Sequence, residues 1–451
     1  MVITFVSNYI NHHQLPFCRA MSAFGEEVEF YFVQVMPMEE KRKSMGWAVD
    51  ESAIPYLVLY YKEPERASGL IRESDVVLFG WTEGRIADLE AERLSSGKLS
   101  FRVSERIYRE GQWKFISPRG LAAKYREHIR YRNKPVYLLC TGAYVASDFS
   151  LIKAYPGKML KWGYFPESEG KEPSQGATGL EGTDSRGGAV EAGASAGAQA
   201  GGCEMSGDAG ASAEAQAGGC ETSGDAGASA EAQSGKLRIC WAGRLIDLKH
   251  PEFAVRLAAK LKSLGKEFEM DIVGDGPLKA SLEAMVEKSG LSDCVNLAGG
   301  KKPAEVRHYM AGAEMFLFTS NYLEGWGAVV NEAMSCGCAV VASGEAGAVP
   351  FLIKDGENGL VYDGGSYEDF EKKALSLYED SARIESIGRR AAETIEKTWN
   401  AKVAAGELVR FCREFFENGK PEPAGDGPMS RAQVIKAPGF KRTLEEKNRL
   451  E

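Results

Sequence analysis

The feature that most constrains the fold is the stretch Glu324-Gly-Trp-Gly-Ala-Val-Val-Asn-Glu332, set between two apolar runs. The run before it, Met315-Phe-Leu-Phe-Thr-Ser320, reads as a buried strand, and Ala339-Val-Val-Ala342 reads as the next. Val329 to Met334 between them has helical character, so Gly325 and Gly327 sit where a strand hands over to a helix. Glycine there lets backbone N–H groups approach a ligand closely, and the helix N-terminus adds partial positive charge. The backbone from Gly325 through Trp326, Gly327, Ala328 and Val329 is therefore expected to cradle an anion. Glu324 and Glu332 bracket that cradle. Helical side chains lean toward the N-terminus, which aims Glu332 at the ligand Glu324 meets. Carboxylates repel phosphate but accept well from neutral hydroxyls, so a diphosphate flanked by two polyols fits, as in a nucleotide sugar.

Glu-x7-Glu followed by Ala333-Met334-x-x-Gly337 resembles the signature of retaining glycosyltransferases of family four, which are built on the GT-B fold. The resemblance implies that Glu324 meets the donor sugar and Glu332 the nucleotide ribose. Ile239-Cys-Trp-Ala-Gly-Arg244 reads as a strand and its turn, and Arg244 with Lys249 resembles the family's diphosphate clamp. The physical need is plain: charge building on a departing diphosphate must be neutralised in a dry cleft. The turn Gly274-Asp275-Gly276-Pro277 follows another strand and matches the family's, with Pro277 suited to a first helical turn. Gly299 and Gly300 follow Val295–Ala298, where relatives receive the nucleotide base. The resemblance is close from Leu237 to Trp399 and architectural from Met1 to Phe165.

In the first 165 residues apolar runs alternate with amphipathic segments. The runs Val2–Val6, Val28–Val33, Tyr56–Tyr61, Val76–Phe79, Phe101–Val103, Val136–Cys140 and Met159–Phe165 predict a largely parallel sheet with helices on both faces. Ligands of such folds bind beyond the carboxyl ends of the strands. That singles out Ser7 and Asn8, the pair His12-His13, Gly80-Trp81-Thr82-Glu83, and Ser104-Glu105-Arg106. The expected acceptor side is Asn8, His12, His13, Glu105 and Arg106. Two features depart from the family pattern: Ser7-Asn-Tyr-Ile-Asn11 replaces a glycine-rich loop, and Ser104-Glu105-Arg106 stands where many relatives carry a histidine.

Residues 167–234 are a different kind of chain, in which Gly201 to Ala217 recurs almost unchanged from Gly218 to Ser234. Gly, Ala, Ser and Glu offer almost no apolar side chain to bury, so a disordered tandem expansion is expected. It holds twelve acidic and two basic residues, which leaves the remainder near +1 although the whole chain is −9. The expected organisation is an N-terminal Rossmann-like acceptor-side domain (1–166), this linker (167–235), and a Rossmann-like nucleotide-sugar domain (236–399). A helix crossing back toward the first domain (400–418) and a loose polar tail (419–451) complete it. The nine cysteines form no Cys-x-x-Cys pair and several lie in apolar runs, which suits buried thiols in a reducing compartment. No membrane span or signal peptide is expected. The basic stretch Arg119–Lys134, with Tyr125 and Tyr131 interleaved, reads first as a solvated helix face and second as a surface for anionic lipid.

A dinucleotide-dependent oxidoreductase would need Gly-x-Gly-x-x-Gly, and neither Gly274-Asp-Gly276 nor Gly325-Trp-Gly327 has the third glycine. A sugar-nucleotide epimerase or hydrolase on the same fold, and a non-catalytic glycan or nucleotide-sugar binder, are the remaining alternatives. The expectation is an α/β GT-B retaining glycosyltransferase using a UDP- or GDP-sugar and a hydroxyl acceptor. It needs no cofactor and, lacking any Asp-x-Asp, no metal. It is cytoplasmic or peripheral at the inner membrane face, with no nucleic-acid partner.

Overall fold

The computed structural model describes residues 1–43, 49–167 and 235–439. Strands β1 (Val2–Ser7), β2 (Glu29–Gln34), β3 (Leu57–Leu59), β4 (Val76–Phe79), β5 (Ser100–Ser104), β6 (Val136–Thr141) and β7 (Met159–Trp162) form one sheet in the order β3-β2-β1-β4-β5-β6-β7. Strands β8 (Leu237–Ala242), β9 (Phe268–Val273), β10 (Val295–Gly299), β11 (Met315–Phe318), β12 (Ala339–Ser343) and β13 (Leu360–Tyr362) form a second, in the order β10-β9-β8-β11-β12-β13. Every neighbouring pair is parallel. Each predicted apolar run supplies one of these strands. The reason is burial on both faces: β4, β11 and β12 are buried along their whole lengths, so they read as continuous apolar runs rather than alternating ones.

Strand order reverses between β1 and β4 in the first sheet and between β8 and β11 in the second. A crevice opens at the carboxyl ends of such neighbouring strands. There β1 leads into Asn8, β4 into Gly80-Trp81, β8 into Gly243-Arg244, and β11 toward Glu324. These are the two Rossmann-like sheets of the expected GT-B architecture.

The helix Ala401–Asn418 begins where the Asn400 side chain accepts from the Val403 N–H and ends at Gly419, φ +69°. It packs on the helix Leu15–Ser22 of the first half. Its Phe411 ring meets Tyr137 of β6 at 5.0 Å and Phe101 of β5 at 5.8 Å. Residues 419–439, the described part of the expected tail, are not as loose as their polarity suggests. Met429, Ser430, Ala432 and Ala437 are buried, and Leu160 of β7 pairs antiparallel with Arg431. The Lys161 N–H donates to Ser430 O at 2.7 Å, and the Met429 and Ala432 N–H groups donate to Lys161 O (2.9 Å) and Met159 O (3.0 Å). An edge strand offers unpaired backbone groups, and that is what orders a segment with so few apolar side chains.

The expected insert lies outside the described residues except at its ends, as do Cys203 and Cys220 and the last twelve residues. Among the described residues no helix is long and apolar enough to cross a membrane.

Candidate active site

The turn after β8 carries the expected cationic pair. It is seated by the turn after β9: a β-carbon on Gly274 would overlap the Gly243 carbonyl oxygen, and one on Gly276 would overlap that of Leu245. The Leu245 N–H donates to Asp275 O at 2.9 Å, and the Gly274 N–H reaches Gly299 O of β10 at 2.9 Å. Gly274, Asp275 and Gly276, expected at the nucleotide, thus first of all hold the Arg244 loop in place. Gly299 (φ +71°) has open space around it, and Gly300 lies beside the Asp275 side chain. Arg244 is exposed at the tip of its loop.

Lys249 ends the short turn Asp247–Lys249, and its carbonyl accepts from the Thr319 hydroxyl at 2.5 Å. Thr319 in turn accepts from the Trp241 indole N–H at 2.8 Å, and the Asn321 N–H reaches Leu248 O at 2.8 Å. These bonds knit the β8 turn to the loop after β11. Across that seam the Lys249 ammonium meets the Glu324 carboxylate at 2.5 Å, with both side chains mostly buried. Two residues seventy-five positions apart are thereby joined at the mouth of the crevice.

Gly327, φ +91°, turns the chain into the helix Ala328–Ser335, where only glycine fits because the Phe318 ring stands 2.7 Å from the place of a β-carbon. Ala328 and Val329 open that helix and are half-buried. Gly325 faces the first half of the chain: a β-carbon there would meet the Glu105 carboxylate at 2.7 Å and the Arg109 guanidinium at 2.9 Å. Glu105 and Arg109 are themselves an ion pair, and the Tyr164 hydroxyl donates to Glu105 at 3.1 Å. The side chain of Trp326, whose backbone is expected at the donor, is buried. Its indole N–H donates to Asn331 Oδ1 at 2.8 Å, and the ring lies over Gly163 and beside Trp399, 6.1 Å between centroids. It packs the two halves together.

Glu332 is buried one turn into the helix, and burial pushes its carboxyl up to about 7, against the counter-pull of Arg307. Arg307 acts on His12 as well. Burial first and Arg307 second lower His12 to about 4, and burial with neighbouring His12 lowers His13 to about 3. Both imidazoles are therefore neutral at pH 7. The His12 and His13 rings lie 3.9 Å apart, and His13 lies 5.7 Å from Tyr164.

A cavity of 480 Å³ opens at the carboxyl ends of β1, β4, β5 and β6, and Asn8, His13, Trp81, Glu105, Arg109 and Tyr164 are on its wall. Asn8 Oδ1 accepts from the Tyr9 N–H at 2.8 Å and shapes the turn after β1. Arg106 is not part of this wall. Its guanidinium turns into the first half and bonds Asp148 at 3.2 and 3.3 Å, and Asp148 also takes the Tyr108 N–H at 2.9 Å. Glu105 and Arg106, just beyond the end of β5, thus go separate ways, one to the cavity and one to Asp148. Sequence reading passed over Arg109 and Tyr164, whose sole signal was charge or aromaticity shortly after a strand, and Arg307, a charge within the helix Pro303–Ala311. Among the described residues no group of three or more His, Cys, Asp or Glu side chains is placed to hold a metal ion.

Residues 227–394 match the model of the family described as glycosyl transferases group 1. The amylovoran biosynthesis glycosyltransferase AmsK of Erwinia amylovora is 30% identical over 180 residues, 39% of this chain and 44% of that one. The GDP-mannose-dependent alpha-(1-6)-phosphatidylinositol monomannoside mannosyltransferase of Mycobacterium tuberculosis is 27% identical over 176 residues, 38% of this chain and 46% of that one. The matched stretches thus span less than half the length of these curated relatives. Among solved structures, HepE of Anabaena in complex with UDP superposes with a TM-score of 0.58 at 13% identity, covering 91% of this chain and 98% of that one. That likeness extends the shared fold over both sheets.

Proposed function

We propose, for a chain whose residues 227–394 match the model of the glycosyl transferases group 1 family, that it is a retaining glycosyltransferase moving a sugar from a nucleoside-diphosphate sugar to a hydroxyl acceptor. The observation that carries this reading is the contact of Lys249 with Glu324 at 2.5 Å, beside the N-terminus of the helix Ala328–Ser335. One site then offers a cation and a helix N-terminus for a diphosphate, and a carboxylate for the hydroxyls of the attached sugar. The bond from the anomeric carbon to the diphosphate breaks as Arg244, Lys249 and the helix N-terminus take up the charge on the departing oxygen. The acceptor hydroxyl enters from the same face, forms the new bond to that carbon, and passes its proton to the departing diphosphate. Configuration is thereby retained.

In this reading Glu332 takes the ribose hydroxyls. UDP and GDP are the donor bases to test first, since a structural neighbour binds UDP and a relative depends on GDP-mannose. With Arg244 and Lys249 at the diphosphate, turnover does not depend on a divalent cation. The acceptor is a hydroxyl of a glycan or lipid, and the chain works at the inner membrane face. The helix Pro118–Glu127 supports that placement, because it has no buried residue. Ile116, Leu121 and Tyr125 are exposed there beside Arg119 and Arg126, an apolar and cationic surface suited to anionic lipid.

The test is a panel of UDP-, GDP- and ADP-sugars against the full chain, read by thermal shift and by donor hydrolysis, with and without chelator. One donor should stabilise the protein and be turned over regardless of chelation. Binding of every donor without any turnover would instead favour the non-catalytic binder.

A further inference from the structure

The side chain that the transfer reading leaves unused is an exposed tryptophan. Trp81 is 70% exposed, yet it stands on the wall of the 480 Å³ cavity, not on open surface. Its backbone is fixed: the Asn8 N–H donates to Trp81 O at 2.6 Å, and the Gly80 N–H donates to Val6 O at 2.8 Å. Gly80 lets the ends of β4 and β1 approach, since a β-carbon there would stand 2.8 Å from the Ser7 hydroxyl. The chain then turns through two left-handed residues, Glu83 (φ +53°) and Gly84 (φ +71°). Left-handed backbone is strained for glutamate and persists only where the surroundings impose it. The turn thus holds an indole outward at a cavity mouth, against the hydrophobic preference for burying it.

We propose that Trp81 is the platform on which a neutral sugar ring of the acceptor lies; this rests on the transferase reading and names the acceptor's class. A pyranose presents a face of C–H groups that complements the electron-rich face of an indole. Its hydroxyls need acceptors, and Glu39, Glu83 and Glu105 all line the same cavity. Arg42 and Arg109 are the cationic side chains on that wall, and Arg109 is paired with Glu105. Acids outnumber bases, which disfavours a phosphate- or carboxylate-bearing ring and suits an uncharged one. A ring on Trp81 also has a route to the chemistry, because Glu105 and Arg109 abut Gly325, the neighbour of Glu324.

The experiment is saturation-transfer NMR on the full chain with methyl α-glucoside, methyl α-galactoside, methyl α-mannoside and glucose 6-phosphate. Calorimetry with UDP and GDP, and flotation with phosphatidylglycerol vesicles, run alongside. At least one neutral glycoside should bind, with transfer strongest at the C–H protons of one ring face, and glucose 6-phosphate should not. Trp81→Ala should weaken that glycoside by about fivefold or more and Trp81→Phe by about twofold or less, with diphosphate affinity and Tm unchanged in both. The proposal is overturned if no neutral glycoside binds the unaltered chain, or if Trp81→Ala binds as well as it does. Loss of vesicle binding with glycoside binding intact would also overturn it and make Trp81 a lipid contact. Failure to bind any nucleotide would instead strike the transferase reading.

Discussion

The indole of Trp326 rests on Gly163, so closely that a β-carbon on the glycine would overlap the ring. Because Trp326 belongs to the loop of Glu324 and Gly163 follows β7, one contact sets how the two halves meet at the crevice. Gly163→Ala should therefore lower stability by about 1–3 kcal/mol through overpacking. Gly69→Ala, in a helix with open space around the site, should be neutral or stabilising by about 1 kcal/mol. Urea unfolding of both variants checks the pair, and equal behaviour would show that the Trp326 contact is slack.

The ion pair between Lys249 and Glu324 sharpens what each variant should do. Glu324→Ala should bind free nucleoside diphosphate at least as tightly as the unaltered chain, because it releases Lys249 from its carboxylate partner. The same variant should cut transfer severely. Arg244→Ala should lose both diphosphate affinity and turnover, the latter by about 2–4 kcal/mol of transition-state stabilisation. Calorimetry with the diphosphate beside initial rates with the full donor separates them. A Glu324→Ala variant that loses diphosphate affinity as badly as Arg244→Ala would undo this division of roles.

Glu332 should leave a mark on stability against pH. Its carboxyl is raised by burial from 4.5 to about 7, so between those values the folded chain holds a proton that the unfolded chain has released. Stability from this group is fully present below pH 4.5 and is lost as pH rises through about 7. The lowered His12 and His13 act in the opposite sense: their contribution is present above pH 6.5 and is lost as pH falls toward about 4 and about 3. Glu332→Gln should remove the first effect alone. Its Tm relative to the unaltered chain should rise between pH 5 and pH 8 by the equivalent of about 1–3 kcal/mol. A difference constant with pH would refute the assignment.

Arg106 should behave as a structural residue. Removing it leaves the fully buried Asp148 carboxylate without its cation, with the Tyr108 N–H and the Gln112 amide still bound to it, and loss of one member of a buried pair costs about 3–5 kcal/mol. Arg106→Met should show that loss in urea, and Asp148→Asn in the same chain should restore part of it. An Arg106→Met variant of normal stability and raised acceptor KM would return Arg106 to the cavity.

The strands were legible because the central ones, β4, β11 and β12, are buried along their whole lengths and spell continuous apolar runs, while β9 alternates apolar and charged residues as Phe-Glu-Met-Asp. The pairing of Lys249 with Glu324 was legible as two motifs, although not as a contact, since periodicity says nothing about which loops share a crevice. What stayed hidden were side-chain directions at strand ends. Glu105 and Arg106 are neighbours of similar promise, yet the partner that draws Arg106 away is Asp148, forty-two residues on. Trp326 stands amid the motif, and nothing in the sequence says that its ring packs on Gly163 and beside Trp399. Gly274 and Gly276 were recognisable as a turn, but only geometry shows that the turn's nearest neighbour is another loop.

The backbone bonds between β7 and residues 429–432 make the first half dependent on the far end of the chain. Fragment 1–167 alone would expose β7 as an open template and should aggregate or pair with itself. Supplied with fragment 235–451 as a separate polypeptide, it should recover its missing border and the helix Ala401–Asn418 together. The protein can then be divided at its insert into two complementary pieces, whose reassembly is scored by solubility on co-expression. Recovery of soluble protein would show that covalent continuity through residues 168–234 is dispensable for assembly, whereas the bonds of β7 to residues 429–432 are not.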